Sequence, residues 1–382
     1  MTTVQEEALL RIEDLVLRFY TYEGIVEALD GVNLNVLENE TLGLVGETGC
    51  GKSVTSLATM VVVVSPGKIE KGRILLKNRD KMTNLLKQDD AFLRIIRGSY
   101  LSMVFQEPRA YLNPVYTVRD QIAEVLVVHK RKELLQTVLE SLRTGRKEEG
   151  LKGSSFEMKT YERMLEKPNS FVTKILCKVP RSQRRLNEEV RKEVIRILME
   201  MEIPDPDRVA EMYPHELSGG MAQRVVIAMA LVCNPTLLIA DEPTTNLDVT
   251  IQAQILNLVK RLQERSKSSV LYVTHDLGVV AQICDRVAVM YAGSIVETAN
   301  VFDLFKKPSH PYTKALLESI PRPGKEFKSI PGTVPGLIDP PKGCRFHDRC
   351  AYAMEICRKM KPPLTEIEKK HFVACHLYGG KK

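Results

Sequence analysis

Residues 46–53 read Gly-Glu-Thr-Gly-Cys-Gly-Lys-Ser. This stretch, which we call the phosphate loop, fits the pattern G-x-x-x-x-G-K-[ST]. It lies between residues 41–45, an apolar segment that predicts a strand, and residues 52–64, which predict a helix. Glycines allow the backbone N–H groups of such a loop to turn toward phosphates, and the helix N-terminus adds its dipole. By itself the loop indicates a site for a nucleoside triphosphate.

The segments around the phosphate loop alternate between predicted strands and predicted helices. Further strands are expected at residues 9–18, 27–37, 236–240, 270–274 and 286–291, and helices at residues 115–143, 185–201 and 249–264. This alternation predicts an α/β fold of the P-loop ATPase type with a largely parallel sheet.

Composition excludes several classes of protein. The 382 residues are 44% hydrophobic, enough to build one large domain and a smaller one. No run approaches the roughly 18 consecutive apolar residues that a membrane-spanning helix needs. The start of the chain lacks the basic segment and apolar block of a secretory signal. We therefore expect a cytosolic chain that acts peripherally at any membrane.

The net charge of +7 is concentrated in a basic insertion at about residues 144–185. Between Arg146 and Lys192 there are 13 Lys and Arg against 7 Asp and Glu, a surplus of six positive charges. A solvated surface is the simplest interpretation of this surplus. A contact with anionic lipid headgroups or with nucleic acid is the alternative.

Two carboxylates follow the apolar segment at residues 237–240. Asp241 stands where a strand-end carboxylate can hold Mg²⁺, and Glu242 can polarise the water that attacks the γ-phosphate. In the phosphate loop, Lys52 can reach the β- and γ-phosphates and the hydroxyl of Ser53 can bind Mg²⁺. These four residues predict phosphoryl transfer from ATP to water.

Residues 217–221, Leu-Ser-Gly-Gly-Met, open a predicted apolar helix, whose exposed N–H groups would form an anion site. The segment resembles the signature motif of ABC ATPases, with Met in place of the more usual Gln. Three other segments resemble motifs of that family. Gln106 resembles the glutamine of the Q-loop, and residues 245–248 resemble the D-loop. His275 resembles the switch histidine that contacts the γ-phosphate. The resemblance covers about residues 8–300.

The resemblance implies a nucleotide-binding fold with a helical subdomain at about residues 107–230 and a set of site residues. Glu242, His275 and Lys52 would be catalytic, and Gln106 would join Ser53 and Asp241 at Mg²⁺. Tyr20, Phe19 and Tyr22 are all candidates to stack on adenine, and Tyr20 is the residue we select. The ATP site would comprise Tyr20, Gly46, Glu47, Thr48, Gly49, Cys50, Gly51, Lys52, Ser53, Val54, Gln106 and Asp241, with Ser218, Gly219 and Gly220 contacting ATP on a second subunit.

Prolines crowd together after about residue 305, which indicates a linker and a small C-terminal module at 305–382. Residues 308–317 and the last 40 residues resemble the C-terminal region of oligopeptide and dipeptide importer ATPases. Four cysteines with the spacing Cys-x5-Cys-x6-Cys-x17-Cys suggest one shared site. The family resemblance points to a [4Fe-4S] cluster, which four thiolates suit, and Zn²⁺ is the alternative. The ligands would be Cys344, Cys350, Cys357 and Cys375.

The interpretation that follows is an ATPase domain at residues 1–304 that powers peptide import. By resemblance its partners are a second ATPase subunit (a paralogue in a heterodimer), two membrane permease subunits and an extracytoplasmic solute-binding protein, with no nucleic acid. The chain would lie peripherally on the cytoplasmic face of the cell membrane. Oligosaccharide or nickel remain alternative solutes, because no residue of the chain contacts the solute.

Soluble ABC ATPases of translation or DNA repair form a second hypothesis, and a dedicated exporter a third. Translation-type members carry two ATPase cassettes, whereas this chain has one phosphate loop and one signature motif. Repair-type members carry long coiled coils, and no sustained heptads occur between Ser53 and Ser218. The importer-like tail argues against an exporter.

Overall fold

A computed structural model describes residues 8–78, 81–149, 154–166, 170, 180–245, 247–320 and 329–379 of the chain. The chain divides into two units. The first unit contains residues 1–106, 236–245 and 252–382, and the second contains residues 107–235 and 246–251. The predicted domain boundary between residues 304 and 305 stays a prediction.

The first unit is built on two sheets. Their strands are β1 (Ala8–Thr21), β2 (Gly24–Leu37), β3 (Thr41–Val45), β4 (Gly67–Asn78), β5 (Lys81–Asn84), β6 (Leu101–Val104), β7 (Leu237–Asp241), β8 (Ser269–Thr274), β9 (Arg286–Tyr291), β10 (Ser294–Asn300), β11 (Thr365–Glu368) and β12 (His371–Val373). An antiparallel sheet has the order β2-β1-β4-β5, and an eight-stranded sheet has the order β11-β12-β10-β9-β3-β8-β7-β6.

Five neighbouring strands of the larger sheet, from β9 to β6, are parallel. Every residue of β3, β7, β8 and β9 is buried, which is why these strands are almost continuously apolar. One cluster of buried side chains joins both sheets and includes Leu17, Leu29, Leu44, Leu271 and Met290. The predicted α/β fold with a largely parallel sheet is confirmed, with an antiparallel sheet beside it.

The helices, in chain order, are α1 (Lys52–Thr59), α2 (Asp90–Ile96), α3 (Pro108–Tyr111), α4 (Val118–His129), α5 (Arg131–Glu149), α6 (Ser154–Glu166), α7 (Pro180–Glu200), α8 (Pro206–Ala210), α9 (Gly219–Leu231), α10 (Val249–Ser266), α11 (Leu277–Ile283), α12 (Val301–Lys306), α13 (Pro311–Glu318) and α14 (Glu355–Lys359). The second unit consists of α3 to α9 and the start of α10. Within the described residues, no helix is both long and apolar enough to cross a membrane.

Helix α1 ends five residues before the predicted position at residue 64. The N–H of Val62 donates to the carbonyl of Leu57 at 3.0 Å, and Val61 adopts a φ of 54°. This closes the helix with a left-handed residue. The four valines at 61–64 also favour extended structure over helix because they are β-branched.

The basic insertion contains a helix that the sequence did not indicate. Helix α6 buries Tyr161 and Met164 on one face. Charged residues are interspersed with the apolar ones in this helix, so the sequence of the segment predicts a polar loop. Residues 150–153, 167–169 and 171–179 of the insertion lie outside the described part of the chain.

Candidate functional site

Strand β3 and helix α1 position the phosphate loop in the first unit. Gly51 stands just before α1 with a φ of 103°, and Gly49 has a φ of 80°. A Cβ at Gly51 would lie 2.9 Å from the carbonyl oxygen of Ala28. Position 51 therefore needs glycine both for its backbone conformation and for space.

Lys52 is buried and folds back over the loop. Its Nζ donates to the carbonyl of Gly46 at 2.8 Å and to that of Glu47 at 3.1 Å. The ammonium group is therefore held inside the curve of the loop, where phosphate oxygens are bound in this type of loop.

Ser53 and Asp241 meet across the start of α1 and the end of β7. The hydroxyl of Ser53 donates to Oδ1 of Asp241 at 3.2 Å. Burial raises the pKa of Asp241, and the hydrogen bond from Ser53 acts in the opposite direction. A hydroxyl and a carboxylate side by side are oxygen ligands of the kind that Mg²⁺ prefers.

Glu242 follows Asp241 and is held by two side chains. Its Oε1 lies 3.0 Å from Nδ1 of His275, and its Oε2 accepts a hydrogen bond from Thr245 at 3.0 Å. Burial raises the pKa of Glu242, the contacts with His275 and Thr245 lower it, and the net direction is downward. The φ of 46° at Glu242 is unusual for a non-glycine residue and indicates a constrained backbone.

The topology explains why these residues converge. Strands β3, β8 and β7 are parallel neighbours, so the segments after their carboxyl ends lie along one edge of the sheet. The phosphate loop follows β3, His275 follows β8, and Glu242 follows β7. Gln106 comes shortly after β6, the next parallel strand, and is exposed.

The signature residues lie in the second unit. Ser218 caps helix α9, because its hydroxyl accepts a hydrogen bond from the N–H of Met221 at 3.3 Å. Gly219 and Gly220 form the first turn of α9, and a Cβ at Gly220 would lie 3.1 Å from Ile251. Asn246 of the predicted D-loop lies outside the described residues.

Three aromatic residues were candidates for stacking on adenine. Tyr20 is 45% exposed and its hydroxyl contacts Glu70. Phe19 packs partly buried against the core cluster, and Tyr22 is fully exposed. The choice of Tyr20 stays a prediction.

The four C-terminal cysteines line one small cavity, together with His310 and Phe346 among others. Burial, with a smaller contribution from the other three cysteines, raises the pKa of the Cys344 thiol to about 11. Four thiols around one cavity fit the chemistry of a thiolate-bound cluster. Within the described residues, however, no group of three or more His, Cys, Asp or Glu side chains is arranged to hold a metal ion.

The remaining described cysteines are Cys50, in the phosphate loop, and two packing residues, Cys233 and Cys284. Cys50, Cys233 and Cys284 are buried free thiols, and burial raises the pKa of each. Cys177 lies outside the described part of the chain.

Sequence reasoning missed two residues that contact the phosphate loop. Arg349 forms an ion pair with the carboxylate of Glu47, and the hydroxyl of Tyr312 accepts a hydrogen bond from the N–H of Glu47. Arg349 stands beside Cys350 in a charged run, and 302 residues separate it from Glu47. No local pattern connects residues so far apart.

Comparison with known proteins assigns the family. The family model described as ABC transporter matches residues 29–245, more than half of the chain. The chain belongs to the ABC transporter family. It is an ATPase of the ABC type, and the resemblance seen in its motifs is confirmed. A second family model, the oligopeptide/dipeptide transporter C-terminal region, matches residues 296–357, which include three of the four tail cysteines.

Relatives of this ABC ATPase match over nearly its full length. The probable peptide ABC transporter ATP-binding protein y4tR of Sinorhizobium fredii is 42% identical, covering 97% of this chain and 95% of the relative. The dipeptide transport ATP-binding protein DppD of Bacillus subtilis is also 42% identical with the same coverage. A solved dimeric, post-hydrolysis structure of the ATP-binding cassette MJ0796 bound to ADP and Pi is 25% identical, with a TM-score of 0.54 over 76% of this chain and 98% of that one.

Proposed function

We propose that the chain is the ATP-hydrolysing subunit of an importer of dipeptides or oligopeptides. The observation that carries this function is the convergence of Lys52, the Ser53–Asp241 pair and the Glu242–His275 pair in an ABC ATPase. The tail adds the solute class, because it matches the oligopeptide/dipeptide transporter C-terminal region. The names of the relatives support the same class of solute.

The reaction is transfer of the γ-phosphoryl group of ATP to water. Lys52 stabilises the charge on the phosphate oxygens, since its ammonium group is already held inside the phosphate loop. Ser53 and Asp241 would hold Mg²⁺, with Gln106 as a third ligand, and the metal would neutralise charge on the transferred group.

Glu242 orients and polarises the attacking water. An ionised carboxylate only accepts hydrogen bonds, so its contact with His275 places a proton on Nδ1 of the ring. Thr245 holds the other oxygen. Both oxygens of Glu242 have a partner, which fixes the direction of the carboxylate. His275 would respond to the γ-phosphate.

The rest of the ATP site follows from the loop and the nearby strands. Backbone N–H groups of the loop would bind phosphate oxygens, and the side chain of Tyr20 would stack on adenine. The proposed nucleotide contacts are Tyr20, Gly46, Glu47, Thr48, Gly49, Cys50, Gly51, Lys52, Ser53, Val54, Gln106 and Asp241.

A second ATPase subunit would complete the site. Ser218, Gly219 and Gly220 present the N-terminus of α9, which suits the phosphates of a nucleotide bound by the partner. The dimeric state of the ADP-bound and Pi-bound relative supports this arrangement. We propose that the partner is a paralogue.

Import also requires proteins that this chain does not supply. We propose two permease subunits in the membrane and an extracytoplasmic solute-binding protein, with the chain on the cytoplasmic face. Closure of the ATPase dimer around ATP would move the permeases, and hydrolysis would reopen it.

The four tail cysteines are proposed to bind a [4Fe-4S] cluster, with Zn²⁺ as the alternative. Their common cavity and the four-thiol donor set support this proposal. Such a cluster would hold four separate points of the tail together. It would be structural or regulatory, because the groups proposed to act on ATP lie elsewhere.

Reconstitution tests the function. The chain should be co-expressed with its permeases and the complex reconstituted in lipid vesicles together with the binding protein. Uptake of a labelled dipeptide, of an oligosaccharide and of Ni²⁺ into these vesicles should then be compared. We expect ATP-dependent uptake of peptide alone, abolished by Lys52→Ala. Uptake of nickel or oligosaccharide but not peptide would replace the proposed solute, and ATP-independent uptake would remove the proposed role.

The isolated chain gives a second test of the dimer. It should bind MgATP and hydrolyse it slowly at low concentration, since Ser218–Gly220 must meet the nucleotide of another subunit. Turnover at nanomolar concentration equal to that of the assembled transporter would contradict the shared site.

A further inference from the structure

We propose that residues 345–349, which we call the clamp segment, position the phosphate loop, with Arg349 acting on Glu47 as the principal contact. Arg349 is then a positioning residue for ATP binding. This inference rests on the proposed ATP site, because it assigns a second layer of residues to that site.

The contact between Arg349 and Glu47 is bidentate. Nη1 donates to Oε2 at 2.7 Å and Nη2 donates to Oε1 at 3.1 Å. The Arg349 side chain is 5% exposed and that of Glu47 is 28% exposed. A planar guanidinium that meets a carboxylate with two parallel hydrogen bonds fixes its direction as well as its charge.

Other contacts hold the guanidinium in place independently of Glu47. Nε of Arg349 donates to the carbonyl of Pro331 at 2.7 Å, and Nη1 also donates to the hydroxyl of Tyr291 at 3.2 Å. The guanidinium carbon lies 5.9 Å from the ring centre of Phe346. Arg349 is thus held by Pro331 and Phe346 of the C-terminal region and by Tyr291 of β9, independently of Glu47.

The backbone of Glu47 is held by a second C-terminal residue. Its N–H donates to the hydroxyl of Tyr312 at 2.9 Å. Tyr312 is fully buried and packs against Tyr291 and Phe346, with ring centres 4.6 Å and 5.4 Å away. The N–H and the carboxylate of one loop residue are therefore both fixed by side chains more than 260 positions along the chain.

Arg345 supports the loop from another side. Its Nη1 donates to the carbonyl of Ala292 at 2.6 Å, and its Nη2 donates to Oε2 of Glu27 at 2.7 Å. Next to Ala292, the N–H of Gly293 donates to the carbonyl of Cys50 at 2.8 Å. The clamp segment therefore reaches the phosphate loop directly at residue 47 and through a turn at residue 50.

The charge on Glu47 gives this arrangement a consequence for ATP. A carboxylate in a loop that binds phosphates repels them unless it is paired. Arg349 neutralises this carboxylate and turns it toward the C-terminal residues. Loss of Arg349 would free a negative charge beside the phosphates and loosen the loop, so the affinity for ATP should fall.

Calorimetric titration of the full-length chain with MgATP tests this proposal. We expect Arg349→Ala to raise the Kd about tenfold, in line with loss of a charge-assisted pair, and Arg349→Lys to raise it less. In the assembled transporter, Arg349→Ala should raise KM with kcat largely kept, because Glu242 and His275 are untouched. A purely structural role would lower the melting temperature without this separation of KM from kcat.

The double variant isolates the charge. Glu47→Gln removes the repulsion, so adding Arg349→Ala to Glu47→Gln should weaken binding much less than it does in the wild-type background. Equal effects in both backgrounds would overturn the proposal. Arg358→Ala, an exposed arginine beside Cys357, is the matched control and should bind MgATP like the wild type.

Failure of the inference can be distinguished from failure of the ATP site. If Lys52→Ala abolishes binding while Arg349→Ala binds within twofold of wild type, the site stands and the clamp is wrong. If Lys52→Ala binds normally, the proposed site itself is wrong. Should Arg349→Ala fail to fold, Arg349→Lys and Glu47→Gln provide the same comparison.

Discussion

The hydroxyl of Ser53 lies 3.2 Å from Oδ1 of Asp241, although 188 residues separate the two in the chain. The start of α1 and the end of β7 bring them together, and both are oxygen donors. The pair marks the place where Mg²⁺ would join the phosphates to the protein.

Asp241→Asn tests whether Asp241 binds Mg²⁺. The amide keeps the shape and the hydrogen bond with Ser53 but loses the charge that attracts the cation. The Mg²⁺ concentration for half-maximal ATP hydrolysis in the assembled transporter should rise about tenfold or more. Asp339→Asn, at an exposed aspartate, is the control. An unchanged magnesium requirement would remove Asp241 from the site.

Glu242→Gln should leave MgATP binding intact and lower hydrolysis by about 10²-fold or more, because the amide cannot take up a proton from water. Phosphate release and calorimetric titration measure the two effects. The variant should also accumulate an ATP-bound dimer with its partner subunit, visible by size-exclusion chromatography. Hydrolysis close to that of the wild type would reassign the residue that acts on water.

His275→Ala should move the acid limb of the pH–rate profile to higher pH. Burial raises the pKa of Glu242, and His275, Thr245 and Lys52 lower it, so removing His275 should raise the pKa of this carboxyl. In the wild type, the carboxylate is ionised at neutral pH, and the benefit of the pair is lost as pH falls through the lowered pKa. A shift of the limb to lower pH would contradict this coupling.

Anaerobically purified protein should contain about four iron and four acid-labile sulfide atoms per chain, as expected for a cubane cluster. Substituting Cys344, Cys350, Cys357 or Cys375 by Ser should remove the iron. Stoichiometric zinc without iron, under strict exclusion of oxygen, would identify a four-cysteine zinc site instead.

The same cysteine variants should also weaken ATP binding. A proline-rich segment separates the tail from the phosphate loop in the sequence, which by itself would favour independence of the two. The contacts of Arg345 and Arg349 favour coupling, because the clamp segment lies between Cys344 and Cys350. A Cys350→Ser protein that has lost its iron and still binds MgATP with wild-type affinity would show that the clamp works without the metal.

Much of the arrangement of the candidate ATP site could be predicted because its determinants are local. The phosphate loop, the Asp241–Glu242 pair and His275 each follow an apolar strand directly, and parallel strands carry their ends to one edge. Helix α6 could not be predicted, because its apolar stripe is narrow and lies in a charge-rich segment. The break between α4 and α5 at Lys130 was also missed, since both helices continue one apolar pattern.

The clamp was beyond sequence reasoning for a different reason. Arg349 and Glu47 are each ordinary charged residues in their own surroundings. Their pairing depends on the tertiary path of the tail, which brings Tyr312, Phe346 and Arg349 against Tyr291 at the end of β9. The contacts of Tyr312 and Arg349 with Glu47 therefore become visible only in the folded chain.

Strand β12 pairs with β10, and β11 pairs with β12, so the tail also forms the rim of the eight-stranded sheet. Without these two strands, β10 would present unpaired N–H and carbonyl groups along a run of residues, 295–299, that is buried in the folded chain. Exposed edges of this kind recruit other chains. The natural rim, β11, carries Glu366 and Glu368, whose charges discourage such association. A chain cut before Thr365 should therefore tend to aggregate, whereas a full-length Cys375→Ser chain, which keeps both strands, should not.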